Sequence, residues 1–522
     1  MMNRIVWILL LVLFCNIPAI AQEEVQAIPR RDPLQLAQSL LGYTGDAVML
    51  ELSPVYQPGD MLEFWVGKNG ESTPTRITAT LVGSTARSYV WVDNAIQIQM
   101  QDPSAVALSV AQVYTLLRMR SSYRSIALPG LENFQDATDL LPVPDVDNDE
   151  RLFVVFTTGL VDDRDVLINP VDSIPTVYTP SGINNQHETM FVNVIEGTPL
   201  DSGLYLSAIM RGLFSMVRYE MNPDTAAWFD EMMRWWVVLT PQVALTADDY
   251  NTFLGAPDTP LIQPATLTTR IQTLAAQQLF LRYIAQRYGE GFFAELFLRF
   301  GRGLDILDGI LAEDNIYDLV TGAPVTGIDL FADFTLATLL NLDFGDRRYG
   351  LTVGPVSGDQ RAVVTAIESV NLPSLTVSQF GSVYYRYTND TSTAANIEVT
   401  FTGRQTVNRL PMDHDPEDGF YWSGWGGDQV RSLTQSFDLS GVESATLAFD
   451  VWYNIADSWN YGYVSASTDG GTTWTILAPQ GVTLNNRYGA AYGVGFTGMS
   501  NAEPSHPFPI MGVVLSSDGV TV

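Results

Sequence analysis

The chain has 522 residues, with 58 acidic against 27 basic side chains for a formal charge of −31, and it is 46% hydrophobic and 11% aromatic. Such a charge argues against nucleic acid or an anionic membrane surface as partner. The apolar and aromatic content in turn excludes an acidic disordered tail and supplies enough material for more than one core.

The first residues set the compartment. Arg4 gives a positive start, 5–14 is an apolar run too short to span a bilayer with ease, and Ala19, Ile20 and Ala21 place small residues before Gln22. This is the pattern of a secretory signal peptide cut after Ala21, the alternative being an uncleaved anchor. Cys15, the single cysteine, lies inside that segment and follows Phe14, where a lipoprotein signal needs a small residue. The mature chain is then free of thiols and disulfides and draws its stability from its cores. No later apolar run reaches membrane length, so no membrane insertion is expected after signal cleavage, and the expected location is secreted or on the extracellular surface.

Further on, "MLEFWVGKN", "TRITATLVG" and "SYVWVDNAI" alternate and are broken by Gly, Asn and Asp turns, the pattern of a β meander. A helix is expected at 104–119. The stretch "LLPVPDVDNDE" leads into "RLFVVFTTGL", a buried-strand type of run, and "HETMFVNVIEG" reads as a further strand. Helical spacing then dominates at 204–219, 226–239, 267–288, 291–300 and 330–340. Strands followed by a run of helices predict an α+β domain. Beyond about 351 the pattern is all-β, with "SVYYRYTND", "NIEVTFTG", "SLTQSFDL", "ATLAFDVWYNI" and "YGYVSASTDGGTTWTIL" as strands of a sandwich or jelly roll. The organisation expected is a signal peptide at 1–21, an N-terminal β-rich region at 22–140, an α+β domain at 141–350, a β-sandwich at 351–500, and at 501–522 either the start of a truncated further segment or a frayed end.

Catalytic chemistry is thinly represented. His187, His414 and His506 fall in separate elements, no G-x-S-x-G elbow accompanies them, and Walker and dinucleotide fingerprints are absent. His187 and Glu188 start like a zinc motif, but the residue four positions after the histidine is Phe191. The 204–219 helix carries Leu206, Ile209, Met210, Leu213, Met216 and Val217 on an apolar face, and Arg211, Ser215 and Arg218 on the other side. A helical zinc site puts two histidines at i and i+4 with a glutamate after the first, and here those slots hold Arg211, Ser215 and Gly212.

The segment "YLSAIMRGLFSMVRYEMNPDTAAWFDE" resembles the active-site region of secreted bacterial zinc metallopeptidases of the immune inhibitor A type, written as Y-L-x-x-L-A-H-E-F-Q-H-M-I-H-W followed by D-x-W-x-N-E-G. The similarity continues through "YQPGDMLEFWV", "DNDERLFVVFTTGL", "ETMFVNV", "LAAQQLFLRYIAQRYGEGFF" and the stretch from "YWSGWGGDQ" to "TTWTIL", in the same order, over most of 56–477. The resemblance implies a zincin-like α+β domain followed by a jelly-roll-like sandwich. It places Arg211 on the first zinc histidine, Gly212 on the catalytic glutamate, Ser215 on the second histidine and Glu231 on the third ligand. A permanent cation, a missing side chain and a hydroxyl cannot replace those groups. No catalytic residue, no zinc and no other cofactor is therefore expected. Arg211 is expected to neutralise Glu231 or Asp230, the alternative being a guanidinium in solvent.

Three smaller features complete the reading. "STDGGTTW", with Ser467, Asp469, Gly471, Thr473 and Trp474, fits an Asp-box hairpin, a structural turn. The aromatic group Tyr421, Trp422, Trp425, Trp452, Tyr453, Trp459 and Tyr461 is expected in core packing, with a sugar-binding face as the alternative. Asp145, Asp147 and Asp149, and again Asp413, Asp415 and Asp418, are candidate calcium ligands or solvated acidic turns. The expectation is a non-catalytic pseudopeptidase that binds an extracellular protein or glycan. The rivals are an active zinc peptidase that recruits His187 or His414 toward Glu231, and a carbohydrate-binding sandwich on an inert scaffold.

Overall fold

The computed structural model describes residues 30–500 and the strand at 512–516, except 49–52, 86–87, 97–146, 150, 181, 201, 222–226, 237–244, 263–269, 290–291, 293–303, 319–320, 343–344, 352–355, 357–358, 368–376, 388–418 and 425. The signal segment with Cys15, the helix expected at 104–119, most of the one at 291–300, the strand "NIEVTFTG", His414, His506, Trp425, Asp145, Asp413, Asp415 and Asp418 lie outside the described residues.

The centre of the fold is a six-stranded sheet in the order β1-β2-β3-β4-β6-β5. β1 (Met61–Val66), β2 (Thr75–Ser84) and β3 (Ser88–Asp93) form the antiparallel meander read from their alternation. β4 (Leu152–Thr157) pairs in parallel with β3 and with β6 (Thr189–Asn193), and the short β5 (Val166–Ile168) closes the edge antiparallel to β6. One sheet thus runs across the boundary expected at 140. The reason lies in β3 and β4, in which every residue is buried. Strands that are apolar on both faces need a strand on each side and a layer above and below.

The two layers differ. On one face lie α2 (Gly203–Met221), α3 (Ala227–Trp236), α4 (Ala247–Leu254), α5 (Arg270–Tyr288), α6 (Asp305–Glu313) and α7 (Gly327–Leu340), which build the main core, whereas α1 (Pro33–Leu41) packs separately against Ile174 and Tyr178. Val154 and Phe156 of β4 and Met190 and Val192 of β6 face this helical layer. Phe153, Val155 and Phe191 point the opposite way, as the two-residue period of a strand requires, into an aromatic layer with Phe64, Tyr89 and Trp91. Phe153 and Trp91 stack at 6.0 Å with an angle of 7° between planes, and Tyr56 meets Tyr89, Trp91 and Phe153 edge-on.

Capping fixes the helix ends. α4 and α7 both start with a capping box, in which Thr246 and Asp249, and likewise Thr326 and Asp329, exchange side-chain and backbone bonds. Asn341 ends α7 in the left-handed region. A charged knot ties α5, α7 and the following loop: Arg287 and Arg348 both donate to Asp333, at 3.0 and 2.8 Å, and Arg348 also reaches Asp318.

The C-terminal third carries less regular structure. β7 (Thr365–Ile367) pairs with β8 (Tyr385–Tyr387), while β9 (Phe420–Trp422) and β10 (Val451–Asn454) flank β13 (Gly512–Ser516). β11 (Ser465–Ala466) and β12 (Thr475–Ile476) form the Asp-box hairpin. The strand expected in "SLTQSFDL" is not formed, and Leu433, Phe437 and Leu439 there are exposed. Alternation favours a strand only where a neighbour takes its hydrogen bonds, and none of the described strands pairs with this segment.

The stretch after β12 does not stand apart from the first sheet. Tyr488 is 1% exposed inside the aromatic layer, stacks on Trp459 at 3.9 Å and donates to Asp162. Arg487 pairs with the same aspartate, and Asn169 donates to the Tyr488 carbonyl. The aromatic group read as sandwich core therefore contributes Trp459 to the joint with the first sheet. Tyr488→Ala should lower unfolding free energy by about 3–5 kcal/mol, measured by urea denaturation.

Asp172 lies in a 3-10 turn (Pro170–Ser173) between β5 and β6 and is almost wholly buried. One carboxylate oxygen accepts the Asn185 backbone N–H at 3.0 Å, whereas Oδ2 has no hydrogen-bond partner. Burial pushes its pKa up to about 7, against the opposing pull of the Asn185 bonds. Because an unfolded aspartate titrates near about 3.9, this group's contribution is full at lower pH and is lost as pH rises from there through about 7. Asp172→Asn should flatten that loss, by on the order of 1–4 kcal/mol, as read from urea midpoints between pH 4 and 8.

Candidate functional site at the Arg211 helix

α2 lies against the β5–β6 edge of the sheet and is buried on nearly every side. Tyr205, Ala208, Ile209, Met210, Leu213, Phe214 and Met216 are all in the core, and Arg211 itself is only 5% exposed. Arg211, read as part of a polar side, is thus not solvated. One turn before it, Ser207 turns its hydroxyl back onto the Gly203 carbonyl at 2.7 Å. One turn beyond Arg211, the Ser215 hydroxyl is buried without a hydrogen-bond partner.

Gly212 is the point of closest approach between helix and sheet. A Cβ placed there would lie 2.7 Å from Met190 Sδ and 2.9 Å from Val166 Cγ2. A side chain there would have to displace the end of Met190 and the Val166 methyl, and the position that the family resemblance assigns to a catalytic glutamate is occupied by side chains of β5 and β6.

Arg211 is held by groups that local spacing does not reveal. Its Nη2 pairs with Oδ2 of Asp165, the residue that leads into β5, and not with Glu231 or Asp230 as expected. Glu231 is half-buried on α3 and has interactions of its own. The physical reason is the antiparallel edge: β5 brings Asp165 beside the helix at the level of Arg211, while Asn193 N–H clamps the Asp165 carbonyl at 2.9 Å. The Arg211 guanidinium carbon lies 4.4 Å from the centroid of the Trp235 indole, and Arg270 approaches that ring to 5.7 Å.

Positive charge accumulates here. Burial, then Arg234, then Arg270 pull the Arg211 pKa down from its ordinary value to about 9. That value stays above neutral pH, so the group is a cation there. Arg211 Nη1 and Arg234 Nε are both buried and lack hydrogen-bond partners. Each such donor costs about 1–3 kcal/mol. Two guanidinium groups thus lie at a single indole, with Arg234 near enough to act on Arg211 and one half-exposed carboxylate paired with it, in a chain with a formal charge of −31.

These residues do not fit zinc. The cation Arg211 and the packed Gly212 stand where a ligand and a base are required, and Ser215 is a poor donor. Among the described residues, no three His, Cys, Asp or Glu side chains gather closely enough to hold a metal ion.

His187 is on the other side of the sheet. It stacks on Phe153 at 4.0 Å and binds Asp147 Oδ2 through Nδ1 at 2.5 Å, in the aromatic layer, whereas α3 with Glu231 packs in the helical layer. Nor are Asp147 and Asp149 a cradle of unoccupied oxygens. Asp147 Oδ1 accepts the Asp149 N–H, and Asp149 takes hydrogen bonds from Tyr89 OH and from Arg151. This knot pins the start of β4 to the start of β6.

At the opposite end of the parallel strands, Lys68 is the only lysine in the sequence. Its Nζ donates to Thr157 Oγ1 at 2.6 Å and to the Thr158 carbonyl and lies 3.8 Å from Asp93, which accepts the Thr157 hydroxyl at 2.7 Å. Burial lowers its pKa and Asp93 partly restores it.

The Asp-box turn has the geometry its residues require. Asp469 accepts from the Thr472 and Thr473 N–H groups and from the Ser467 and Thr473 hydroxyls, and these bonds hold its pKa down at about 2. Gly470 and Gly471 have φ of 74° and 87°, and Trp474 Nε1 donates back to the Gly471 carbonyl at 3.0 Å. Trp474 N–H also bonds Ser39 O of α1. The motif is thus a structural turn docked on the N-terminal helix.

No protein-family model matches this chain, and none of the curated proteins matches it. The site rests on its own geometry. Sequence reasoning missed Asp165, Arg234, Trp235 and Arg270. The dipeptide Arg234-Trp235 inside a helix of apolar neighbours was the available signal, because an arginine there stacks or pairs locally. Gly212→Ala should destabilise the protein by about 1–3 kcal/mol, although alanine in a helix interior is otherwise favoured by about 1 kcal/mol. Chemical denaturation of the variant measures the sign.

Proposed function

We propose that this chain is an exported, non-catalytic binding protein, a pseudopeptidase of the immune inhibitor A type that holds an extracellular protein or glycan. The observation that carries the reading is the pair at the centre of α2: Arg211 is a buried cation tied to Asp165, and the space beside Gly212 is filled by Met190 and Val166. A peptidase centre at this place would need a metal ligand in the first position and a carboxylate in the second. A sheet covered by helices on one face, with α2 laid against its β5–β6 edge, supports a peptidase-like layout. The charge of the chain supports a partner that is neither nucleic acid nor an anionic surface. Among the described residues no helix is long and apolar enough to cross a membrane.

The test uses the chain from Gln22 onward, purified without added metal. Elemental analysis should find zinc far below one equivalent, and casein hydrolysis should stay at background with and without chelator. One tightly held zinc together with chelator-sensitive hydrolysis would overturn the reading.

A further inference from the structure

The arginine cluster at α2 and α3 holds two buried guanidinium donors that have no hydrogen-bond partner. Its floor is Arg211, 5% exposed, with Nη2 on Asp165 and Nη1 facing no acceptor. Beside it Arg234 presents a buried Nε that likewise has no partner. At the rim Arg270 is exposed, and the indole of Trp235 is approached by both the Arg211 and the Arg270 guanidinium groups, at 4.4 and 5.7 Å from their central carbons. The carboxylate that meets Arg211, Asp165, is itself 46% exposed and engages one of the two terminal amines. Two buried, oriented N–H donors that point at no acceptor are the mark of a site that awaits one.

We propose that Arg211, Arg234 and Arg270 form a carboxylate-binding site with Trp235 as its apolar wall. A carboxylate is planar and has two oxygens, so it matches the fork of a guanidinium and can bridge the unpaired donors of Arg211 and Arg234. The indole favours a carboxylate carried on a flat or apolar group, which would rest against the ring where Arg270 now approaches it. Asp165 then acts as the internal competitor, holding one amine of Arg211 and leaving the other for the ligand. The assignment rests on reading the chain as a binding protein and supplies the chemistry of what is bound.

Titration calorimetry on the mature chain at pH 7 and low salt tests it, with benzoate, hippurate and inorganic phosphate as probes. Benzoate should bind one to one, Arg234→Gln should weaken it about five-fold or more, and Asp165→Asn should tighten it. Tighter hippurate than benzoate assigns the natural carboxylate to a peptide-like ligand, and the reverse order assigns it to a small free acid; both support the site. The proposal is overturned by no saturable benzoate binding up to about 50 mM, by affinity indifferent to Arg234→Gln, or by phosphate binding in preference to both carboxylates. Because Arg211 is buried and its loss would disturb folding, Arg234→Gln and Arg270→Gln, at less buried positions, take the place of Arg211→Gln. Zinc content and hydrolysis are read separately, so chelator-sensitive activity alongside one-to-one benzoate binding would remove the pseudopeptidase reading and leave the site standing.

Discussion

The closeness of α2 to strands β5 and β6 is set at Gly212, where Met190 and Val166 occupy the volume that any side chain would need. Bringing the helix axis that near the sheet turns its neighbours outward in a fixed way. Leu213 and Ile209 fill the core, and Arg211 comes out at the sheet edge, level with the residue that precedes β5. There the guanidinium finds Asp165 on one side and Trp235 on the other. Moving the helix away by the radius of a methyl group would separate all three contacts together, because packed interiors transmit such shifts instead of absorbing them.

The sheet divides the molecule chemically as well as spatially. Its helical face mixes aliphatic and aromatic side chains and has the buried Arg211 guanidinium at the edge, while its other face is a layer of interlocking aromatic rings closed by Tyr56 and Tyr488. The charged and titratable groups of the aromatic layer pair in local knots, as in His187 with Asp147 and Tyr89 with Asp149, while the Trp91 ring N–H there has no partner. The helical layer differs in that its unpaired donors include those of Arg211 and Arg234, which belong to charged groups. A buried donor on a charged group costs more to leave unpaired than one on a neutral ring.

Much of the sheet was legible because its strands announce themselves: the alternation of β1 and β2 and the unbroken apolar runs of β3, β4 and β6 are period-two and fully buried patterns. The long helices α2, α5 and α7 were legible for the corresponding reason. The short ones, α1, α4 and α6, were missed although α4 and α7 share the same Thr-x-x-Asp start. β5 was missed as well, being only three residues long. That omission explains the error at the site, since Asp165 reaches Arg211 only through the pairing of β5 with β6. Spacing along a helix reveals which residues share a face, but not which edge strand lies opposite, and so Glu231 or Asp230, at and beside the position the family resemblance gives to a third ligand, was expected as the partner.

The single lysine carries a consequence for the chemistry of the whole surface. Basic residues elsewhere are arginines, whose guanidinium groups do not react as amines near neutral pH. The Lys68 amine is held against Thr157, the Thr158 carbonyl and Asp93, with its side chain 16% exposed. Apart from the α-amino group, the protein therefore offers aldehydes, activated esters and sugars almost nothing to attack. Toward amine-directed reagents such as reducing sugars and simple aldehydes, such a surface would change slowly and keep its positive charges, while lysine-bearing neighbours lose theirs.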